Sequence, residues 1–354
     1  MAAGRPIRLL ILGTGGMAGN HADAFAAIPG VEVVAGVDTR PGPLSEFCDR
    51  FGISHRFATL DEALAWDGFD AAANVTPDAV HFPTTLPLLA AGKHVLCEKP
   101  LATSQADAAA MAGAARVAGV VNMVNLSYRN VPALQKAAAM VAGGAIGPVR
   151  HFEASYLQSW LTQPAWGDWR TMPQWLWRLS SRHGSKGVLG DVGIHILDYA
   201  TFIAGSEPVD LSGRLTTFDK AEGGRIGDYV LDANDSFAMH LRLANGAVGT
   251  VSATRFATGH LNDLRLRLYG DLGGLEVLFE KAQSRLNACL GADIATGEWA
   301  AVETPAVPTI YERFVAAIRG DGPGVPDFAR GAALQQVLDL AEASSDQGSR
   351  SLAI

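Results

Sequence analysis

The sequence predicts an α/β protein of two domains, the first a doubly wound parallel sheet and the second an α+β domain with an open, mainly antiparallel sheet. A chain of 354 residues is longer than one hydrophobic core usually serves. Short apolar runs alternate with helical segments up to about residue 125, and longer alternating strands follow. We therefore predict domains over 1–126 and 127–354, with the final helix, about 328–343, free to pack back on the first.

In the first domain, apolar runs predict strands and the segments between them predict helices. Pro29-Gly30, Gly52 and Gly92 mark the ends of three of these helices. The predicted strands are 7–12, 31–38, 70–75, 94–97 and 120–126, and the predicted helices are 16–28, 44–51, 61–66, 79–91 and a last one that Thr103 caps and Gly119 ends. Strands separated by helices in this way form a parallel sheet.

The second domain shows a different pattern. Asn245-Gly246 is a hairpin signal between two alternating strands, which indicates antiparallel pairing. The predicted strands are 149–156, 211–218, 235–243, 247–253 and 264–269, and the predicted helices are 132–141, 188–204, 311–318 and 328–343.

Charge and cysteine usage limit the classes of partner. The net charge of −8 and a pI near 5.6 disfavour a nucleic-acid or anionic-membrane partner, which would require clustered Lys and Arg. Cys48, Cys97 and Cys289 lie far apart in the sequence and indicate a reducing compartment. With no apolar run long enough to span a membrane, we expect a cytoplasmic protein.

The first strand runs directly into the segment 13–18, Gly-Thr-Gly-Gly-Met-Ala. Gly13 permits a tight turn, Gly15 allows the backbone to approach a pyrophosphate, and Ala18 allows the next helix to pack closely on the strand. The N-terminus of that helix offers free N–H groups to phosphates. This pattern predicts a dinucleotide site, although a tight turn without a ligand would share the glycines.

Asp38 closes the second predicted strand, 25 residues after Gly13. A carboxylate at this position accepts hydrogen bonds from the ribose hydroxyls of an adenosine and repels a 2′-phosphate. The sequence therefore favours NAD over NADP as the cofactor. Arg40, two residues later, is the feature that could weaken this preference.

Lys99 follows the strand 94–97, and so lies at the carboxyl end of a parallel strand, where such sheets bind ligands. Pro100 restricts the backbone of the residue before it. A lysine beside a positively charged nicotinamide would have its pKa lowered, which would suit acid/base chemistry on a hydroxyl. The alternative is a solvated surface charge.

Asp191, His195 and Asp198 are spaced four and three residues apart in the predicted helix 188–204, which would place them on one helix face. In one interpretation His195 is a core histidine whose partner is Asp191. A metal site is a weaker alternative, because no further Cys or His has ligand spacing. Catalysis by this face is the third possibility.

Three segments together resemble the Gfo/Idh/MocA family, named after glucose–fructose oxidoreductase, inositol dehydrogenase and a rhizopine-catabolism protein. They are 13–18, Glu98-Lys99-Pro100 and 187–198, and the resemblance extends to 76–81, 128–132 and 235–246. It implies a Rossmann domain joined to an open-faced α/β domain, with NAD(P) in the crevice. It also implies that Lys99, Asp191 and His195 surround the substrate carbon.

With this resemblance, we predict a complete site without a metal, and NAD as its cofactor. The predicted catalytic residues are Lys99, His195 and Asp191. The predicted cofactor-binding residues are Gly13, Thr14, Gly15, Gly16, Met17, Asp38, Arg40, Thr76, Pro77, His81, Glu98, Lys99, Ser127, Trp169 and Arg170. The predicted substrate-binding residues are Lys99, Tyr156, Gln158, Trp166, Asp191 and His195.

Five of the seven tryptophans lie within eighteen residues just before the predicted catalytic helix. They are Trp160, Trp166, Trp169, Trp175 and Trp177. Indole rings in such a cluster form core or a subunit contact, but their flat faces also suit the C–H faces of sugar rings.

These observations and the resemblance predict an NAD-dependent dehydrogenase or reductase acting on a sugar or cyclic polyol, such as an inositol or anhydrosugar. Two alternatives stay open: a glycoside hydrolase that retains NAD as a prosthetic group, and a noncatalytic NAD-responsive binding protein. If the second face of the antiparallel sheet is apolar, it requires another subunit to cover it, so we expect a homodimer or homotetramer.

Overall fold

The computed structural model describes residues 5–354. The chain divides into two compact units, of which the first comprises the residues up to 127 together with 308–335. The second comprises 128–307 together with 336–354. Among residues 5–354, no helix combines the length and the apolar character needed to cross a membrane.

The first unit is built on six strands, β1 (Ile7–Leu12), β2 (Val31–Val37), β3 (His55–Phe57), β4 (Ala71–Asn74), β5 (His94–Cys97) and β6 (Asn122–Val124). They form one parallel sheet in the order β3-β2-β1-β4-β5-β6. Ile11 of β1 lies between Gly36 of β2 and Ala73 of β4, where the strand order reverses. The predicted doubly wound parallel sheet is confirmed, and β3 is a strand that was not predicted. Ligands of such sheets bind beyond the strand carboxyl ends at this reversal.

Five helices connect these strands: α1 (Ala18–Ala26), α2 (Pro41–Phe51), α3 (Leu60–Trp66), α4 (His81–Ala90) and α5 (Gln105–Ala118). Each of these helices starts one to three residues from its predicted start, and hydrogen bonds explain two of the differences. α1 begins at Ala18 rather than at Gly16, because the residues before it form a turn in which Ala18 N–H donates to the Gly15 carbonyl. α5 is capped by Ser104 rather than by Thr103, because the Ser104 hydroxyl accepts from the N–H of Asp107.

The segment 308–335, in which the chain returns to the first unit, contributes the helix Ile310–Arg319 to the core of that unit. Its apolar side packs on α1, where Phe25 lies edge-on to Tyr311 at 5.1 Å and to Phe314 at 6.1 Å between ring centroids. Phe25 and Phe314 are both fully buried. Residues that follow most of the second unit in the sequence therefore complete the core of the first.

The second unit contains eleven strands among the residues described: β7 (Val149–Gln158), β8 (Pro208–Thr216), β9 (Arg225–Ile226), β10 (Tyr229–Val230), β11 (Ser236–Leu243), β12 (Val248–Thr254), β13 (Asn262–Gly270), β14 (Gly273–Glu280), β15 (Gln283–Leu290), β16 (Ala300–Val302) and β17 (Leu352–Ala353). Apart from the hairpin of β9 and β10, they form one sheet in the order β16-β15-β14-β13-β7-β12-β11-β8-β17. Neighbours are antiparallel except for β7 and β12, which pair in parallel. The predicted open, mainly antiparallel sheet is confirmed.

The hairpin of β14 and β15 was not predicted, and its turn explains why. Lys281 and Ala282 occupy the turn with φ of 51° and 60°, in the left-handed region. Such turns usually carry Asn-Gly or Asp-Gly, which tolerate this conformation. Without that signal, the sequence gives little indication that the chain reverses here.

The helices of the second unit begin with α6 (Pro132–Ala142), α7 (Pro173–Leu176) and α8 (Ile194–Ala204). The helix Ile310–Arg319 of the first unit is numbered α9. The last helix, α10 (Phe328–Asp346), begins in the first unit and ends in the second. The prediction of one regular helix over 188–204 is wrong in its first turn, because Leu189–Gly193 is π-helical and only then does α8 begin. At the junction, a Cβ on Gly193 would lie 2.8 Å from the Phe237 ring, so this turn is packed tightly against β11.

One face of the large sheet carries charges rather than the apolar surface on which the oligomer expectation rested. Arg267 lies between Glu153 and Glu276, with its Nε 2.9 Å from a Glu276 oxygen. Arg265 and Arg285 both contact Glu280 at 3.0 Å. This face therefore holds cross-strand ion pairs and needs no apolar cover.

Candidate active site

The glycine turn after β1 has the geometry that a dinucleotide site needs. Gly13 has φ +88°, and a Cβ there would lie 2.9 Å from the Thr76 nitrogen and the Val75 oxygen, so this position accepts only glycine. A Cβ on Gly16 would meet no atom within 4 Å, and one on Gly15 would meet only an Arg40 side-chain nitrogen at 3.9 Å. The space beside the start of α1 is therefore open, which fits a pyrophosphate.

Asp38 lies at the end of β2, buried beside this turn. Its Oδ2 accepts from the backbone N–H and the hydroxyl of Thr14 at 2.9 and 3.0 Å. Arg40 donates to both oxygens, through Nε to Oδ1 at 3.0 Å and through Nη2 to Oδ2 at 2.9 Å. Burial opposes ionisation, but these hydrogen bonds outweigh it and hold the pKa of Asp38 well below its usual range. Asp38 is therefore a carboxylate that Arg40, whose side chain is exposed, covers from the solvent side.

The loops after β4 and β5 are joined by His81, the first residue of α4. Its Nδ1 lies 2.8 Å from the Pro100 carbonyl oxygen and its Nε2 lies 2.8 Å from the Thr76 carbonyl oxygen. Carbonyl oxygens only accept, so both ring nitrogens carry a proton. Burial opposes this charge, but Cys97, Asp78 and the Pro100 carbonyl favour it and raise the pKa of His81 to about 10.

His81 was predicted to be a cofactor-binding residue, and this stays a prediction. Its ring is fully buried and both nitrogens are occupied by backbone carbonyls. Its contribution is to hold the Thr76 loop and the loop that carries Lys99 and Pro100. Pro77 and Ser127 are exposed at the carboxyl ends of β4 and β6, where a ligand of this sheet would lie.

Glu98 is the centre of a buried polar cluster beside Lys99. Its Oε1 accepts from Asn125 at 2.6 Å and contacts His21 Nε2 at 2.8 Å, and its Oε2 accepts from the Lys99 N–H at 3.2 Å. Burial would raise the pKa of Glu98, but His21, the Lys99 charge and Asn125 lower it to about 2. Glu98 is thus an anion that links α1, β5 and the end of β6.

The sequence analysis missed His21 and Asn125. His21 is fully buried on α1, and the Tyr311 ring lies edge-on to it at 5.1 Å. Its position eight residues after Gly13 is a signal that helical periodicity could have used, since it falls on the buried face of α1. Asn125 carries no comparable signal in the sequence.

In the second unit, Asp191 lies in the π-helical turn and contacts two arginines. Its Oδ2 accepts from Arg255 Nη2 at 3.1 Å, and Arg178 Nε lies 3.8 Å from the same oxygen. Arg255 is fully buried, and its guanidinium lies 5.0 Å from the centre of the Trp160 ring. Sequence reasoning named neither arginine. The contacts place Asp191 at one end of a buried charge cluster.

His195 and Asp198 follow in α8 and each has a separate neighbour. The Tyr128 ring lies edge-on to the His195 ring at 4.9 Å. Asp198 accepts two hydrogen bonds from Arg129, at 2.6 and 2.7 Å, in a fork that is almost completely buried. Asp191, His195 and Asp198, predicted to share one helix face, thus each have a different neighbour. The buried ion pair with Arg129 gives Asp198 a structural role.

Tyr128, Tyr156 and Asn262 form a closed ring of hydrogen bonds. Tyr156 donates to Asn262 Oδ1 at 2.6 Å, Asn262 Nδ2 donates to the Tyr128 oxygen at 2.9 Å, and the two phenols are hydrogen-bonded to each other. Burial first, and the Asp191 charge in addition, raise the pKa of both phenols. Gln158 extends the ring by donating to Asn262 Oδ1 at 2.9 Å. Tyr156 and Gln158 were predicted to bind substrate, and in the structure the Tyr156 hydroxyl and the Gln158 amide donate to Asn262.

The tryptophan-rich segment forms a separate core of the second unit. Trp160 and Trp169 are almost completely buried there, whereas Trp166 and Trp175 are half-buried. The Trp169 ring N–H donates to the Leu161 carbonyl at 3.2 Å, and Arg170 lies over the same ring. Trp169 was predicted to bind the cofactor, which stays a prediction, and the structure packs its ring in this core.

Two family descriptions match the sequence, one for each unit. Residues 7–126 match the model described as the oxidoreductase family, NAD-binding Rossmann fold. Residues 134–276 match the model of the GFO/IDH/MocA C-terminal domain.

Among characterised relatives, a levoglucosan dehydrogenase of Pseudarthrobacter phenanthrenivorans is 28% identical over 309 residues, which is 80% of this chain and 76% of the relative. A scyllo-inositol 2-dehydrogenase (NADP(+)) of Bacillus subtilis is 28% identical over 67% of this chain and 70% of its own length.

Solved structures match over the whole length. An oxidoreductase domain protein from Kribbella flavida is 29% identical, with a TM-score of 0.85 over 99% of both chains. A levoglucosan dehydrogenase in complex with NADH is 25% identical, with a TM-score of 0.86 over 99% of both chains. The two family matches, the parallel sheet with its glycine turn and the open mixed sheet agree, and the chain belongs to the Gfo/Idh/MocA family of NAD-binding oxidoreductases.

Proposed function

We propose that this protein transfers a hydride between NAD(H) and a hydroxyl or keto carbon of a sugar or cyclic polyol, with an anhydrosugar or inositol as the expected class of substrate. The observation that carries the proposal is the full-length structural match to a dehydrogenase whose solved complexes contain NADH and levoglucosan. The polar groups of both units support it, because Glu98 accepts from the Lys99 N–H in the first unit and Asp191 forms an ion pair with Arg255 in the second.

In this proposal the first unit holds the cofactor, which when bound supplies the nicotinamide that exchanges the hydride. The turn at Gly13 and the start of α1 receive the pyrophosphate. Asp38 receives the adenosine ribose once the Arg40 side chain moves off its oxygens, so NAD is favoured and NADP is less favoured. His81 and Glu98 keep the loop bearing Lys99 in one conformation through the Pro100 carbonyl and the Lys99 N–H.

Lys99 and His195 are the proposed acid/base pair for the substrate hydroxyl. A hydride can leave the substrate carbon only as its hydroxyl proton leaves, so a group must accept that proton. Asp191 adds a fixed negative charge that favours a protonated imidazole or ammonium nearby. The phenols of Tyr128 and Tyr156 do not serve as acids, because their protons are committed within the ring with Asn262.

The test is a panel of sugars and polyols that includes levoglucosan and inositols, incubated with NAD or NADP and followed at the NADH absorbance. Net NADH formation with one class of substrate supports the proposal. Cleavage of a glycoside without net NADH would replace it with the hydrolase, and neither reaction would indicate a binding protein.

We also propose that the protein works in the cytoplasm as a homodimer or homotetramer. Its three cysteines are free thiols, and Cys48 and Cys97 are buried in the first unit. The charged face of the large sheet would then form a polar interface between copies of the chain. Light scattering at micromolar concentration tests the assembly, and a monomer would contradict it.

A further inference from the structure

Arg255 is a cation buried in the interior of the second unit. It follows β12, and its backbone N–H donates to the Asp235 carbonyl at 3.0 Å. The guanidinium donates Nη1 to the Arg178 carbonyl at 3.1 Å and Nη2 to Asp191 at 3.1 Å, while the Trp160 ring covers one face. Its side chain is 0% exposed.

A buried guanidinium remains charged and requires a negative partner. Asp235, also completely buried, forms an ion pair with Lys220 at 2.6 Å, and its charge adds to that of Asp191 in stabilising the Arg255 cation. Among the residues described, the ion pair of Arg255 is with Asp191. The Arg255 charge in turn favours the ionised form of the Asp191 carboxyl.

The pair has one buried end and one accessible end. The Arg255 side chain has no exposed surface, whereas the Asp191 side chain keeps 26% of its exposure. Arg255 reaches Asp191 from the inside, and its hydrogen bond to Oδ2 orients the carboxylate. This is how a scaffold group orients a group that faces a ligand.

We infer that Arg255 is a positioning residue of the active site, which fixes the charge and the orientation of Asp191 so that the carboxylate acts as a constant anion beside the substrate. This inference rests on the proposed dehydrogenase function for its kinetic consequence. Its consequence for the stability of the pair does not depend on any activity.

The first experiment measures thermal unfolding of the full-length protein and of the variants Asp191→Asn, Arg255→Met and the double variant. Asp191→Asn leaves a buried cation without its anion, and we expect the melting temperature to fall by roughly 5–10 °C. Adding Arg255→Met to Asp191→Asn removes that cation, so the double variant should melt at a higher temperature than Asp191→Asn. Additive losses would overturn the pairing.

The second experiment measures turnover of levoglucosan with NAD, or of the sugar that the panel identifies. Arg255→Met should lower kcat about 10- to 100-fold with the NAD dissociation constant unchanged, and combining it with Asp191→Asn should cause no further loss. Arg255→Lys, which keeps the positive charge but not the planar guanidinium, should recover most of the loss. Multiplying effects, or no recovery with lysine, would show that Arg255 acts only on the fold.

Lys220→Met provides the matched control, because Lys220 is an equally buried cation of the same unit whose partner is Asp235. It should lower the melting temperature, and its effect on kcat should multiply with that of Asp191→Asn. If the wild-type protein oxidises no sugar, the proposed function fails while the unfolding experiment still decides the pairing.

Discussion

Glu98 and Asp191 are carboxylates beside predicted catalytic residues, and the two units hold them by different chemistry. Glu98 is held by a histidine and an amide, His21 and Asn125. Asp191 is held by the guanidinium of Arg255, with that of Arg178 nearby. An arginine side chain keeps its positive charge at physiological pH, and an amide carries none. The first unit therefore holds its anion with an imidazole and a neutral amide, and the second with a permanently charged guanidinium.

The largest effects should come from the two residues that these anions serve. Lys99→Met and His195→Ala should each lower kcat about 10²- to 10⁴-fold, because a positioned acid/base contributes that much. The NAD dissociation constant should stay near that of the wild type. Steady-state kinetics and NAD titration provide both measurements, and Asp191→Asn should give an intermediate loss.

The controls for this prediction are Lys281→Met and His240→Ala, which change exposed residues of the same types. A pH profile of kcat sharpens the comparison, because removing a residue that transfers the substrate proton should displace one limb of the profile. Near-normal kcat and an unchanged profile in both variants would mean that they only position the substrate.

Cofactor choice should respond in opposite directions to the two members of the Asp38 pair. Asp38→Ala leaves Arg40 free to attract a 2′-phosphate, so the preference for NADP over NAD should rise roughly tenfold or more. Arg40→Ala uncovers the carboxylate and should strengthen the preference for NAD. The ratio of kcat/KM for the two cofactors is the measurement, with Asp49→Ala as an exposed-carboxylate control. Equal ratios in all variants would remove Asp38 from the ribose site.

The acid stability of the first unit should depend on His21. A carboxylate with a folded pKa of about 2 and an unfolded value near 4.3 stabilises the fold above the unfolded value. That stabilisation is lost as the pH falls from about 4.3 to 2. His21→Leu removes a partner and raises the folded pKa of Glu98, so the melting temperature should fall at pH 7. The further loss below about pH 4.3 should then be smaller and should end at a higher pH than in the wild type.

The matched control is His55→Leu, which changes an exposed histidine of the same unit. It should leave the dependence of the melting temperature on pH unchanged. The same acid profile in both variants would show that His21 does not set the ionisation of Glu98.

The smallest effects should come from the half-buried tryptophans. Trp166→Leu or Trp175→Leu should raise KM for the sugar a few-fold with NAD affinity and melting temperature nearly unchanged, because a stacking contact acts on ground and transition states alike. Trp169→Leu should instead lower the melting temperature, because its ring is buried. Thermal unfolding and KM measurements separate the two groups, and loss of folding in all three would leave only a packing role.

The residues predicted for the first unit's site have requirements that are local in the sequence. Gly13 must turn, and Asp38 must end the next strand, so each can be recognised within about 25 residues. The second unit's site joins distant positions: Arg255 is 64 residues from Asp191, and Asn262 is 134 residues from Tyr128. No local pattern separates these residues from ordinary strand residues. The π-helical turn at Asp191 is packed against β11, and helical spacing alone did not predict this turn.

The return of the chain to the first unit has a consequence for biosynthesis. Phe25 finds its partners Tyr311 and Phe314 only after the ribosome has translated the intervening 128–307 segment. Nascent chains fold from the N-terminus onward. The core of the first unit therefore stays incomplete, with this side of α1 uncovered, while the strands of the large sheet are translated. A ribosome stalled before residue 310 would therefore carry a first unit whose core lacks α9. Nascent chains of that length should depend most on chaperones.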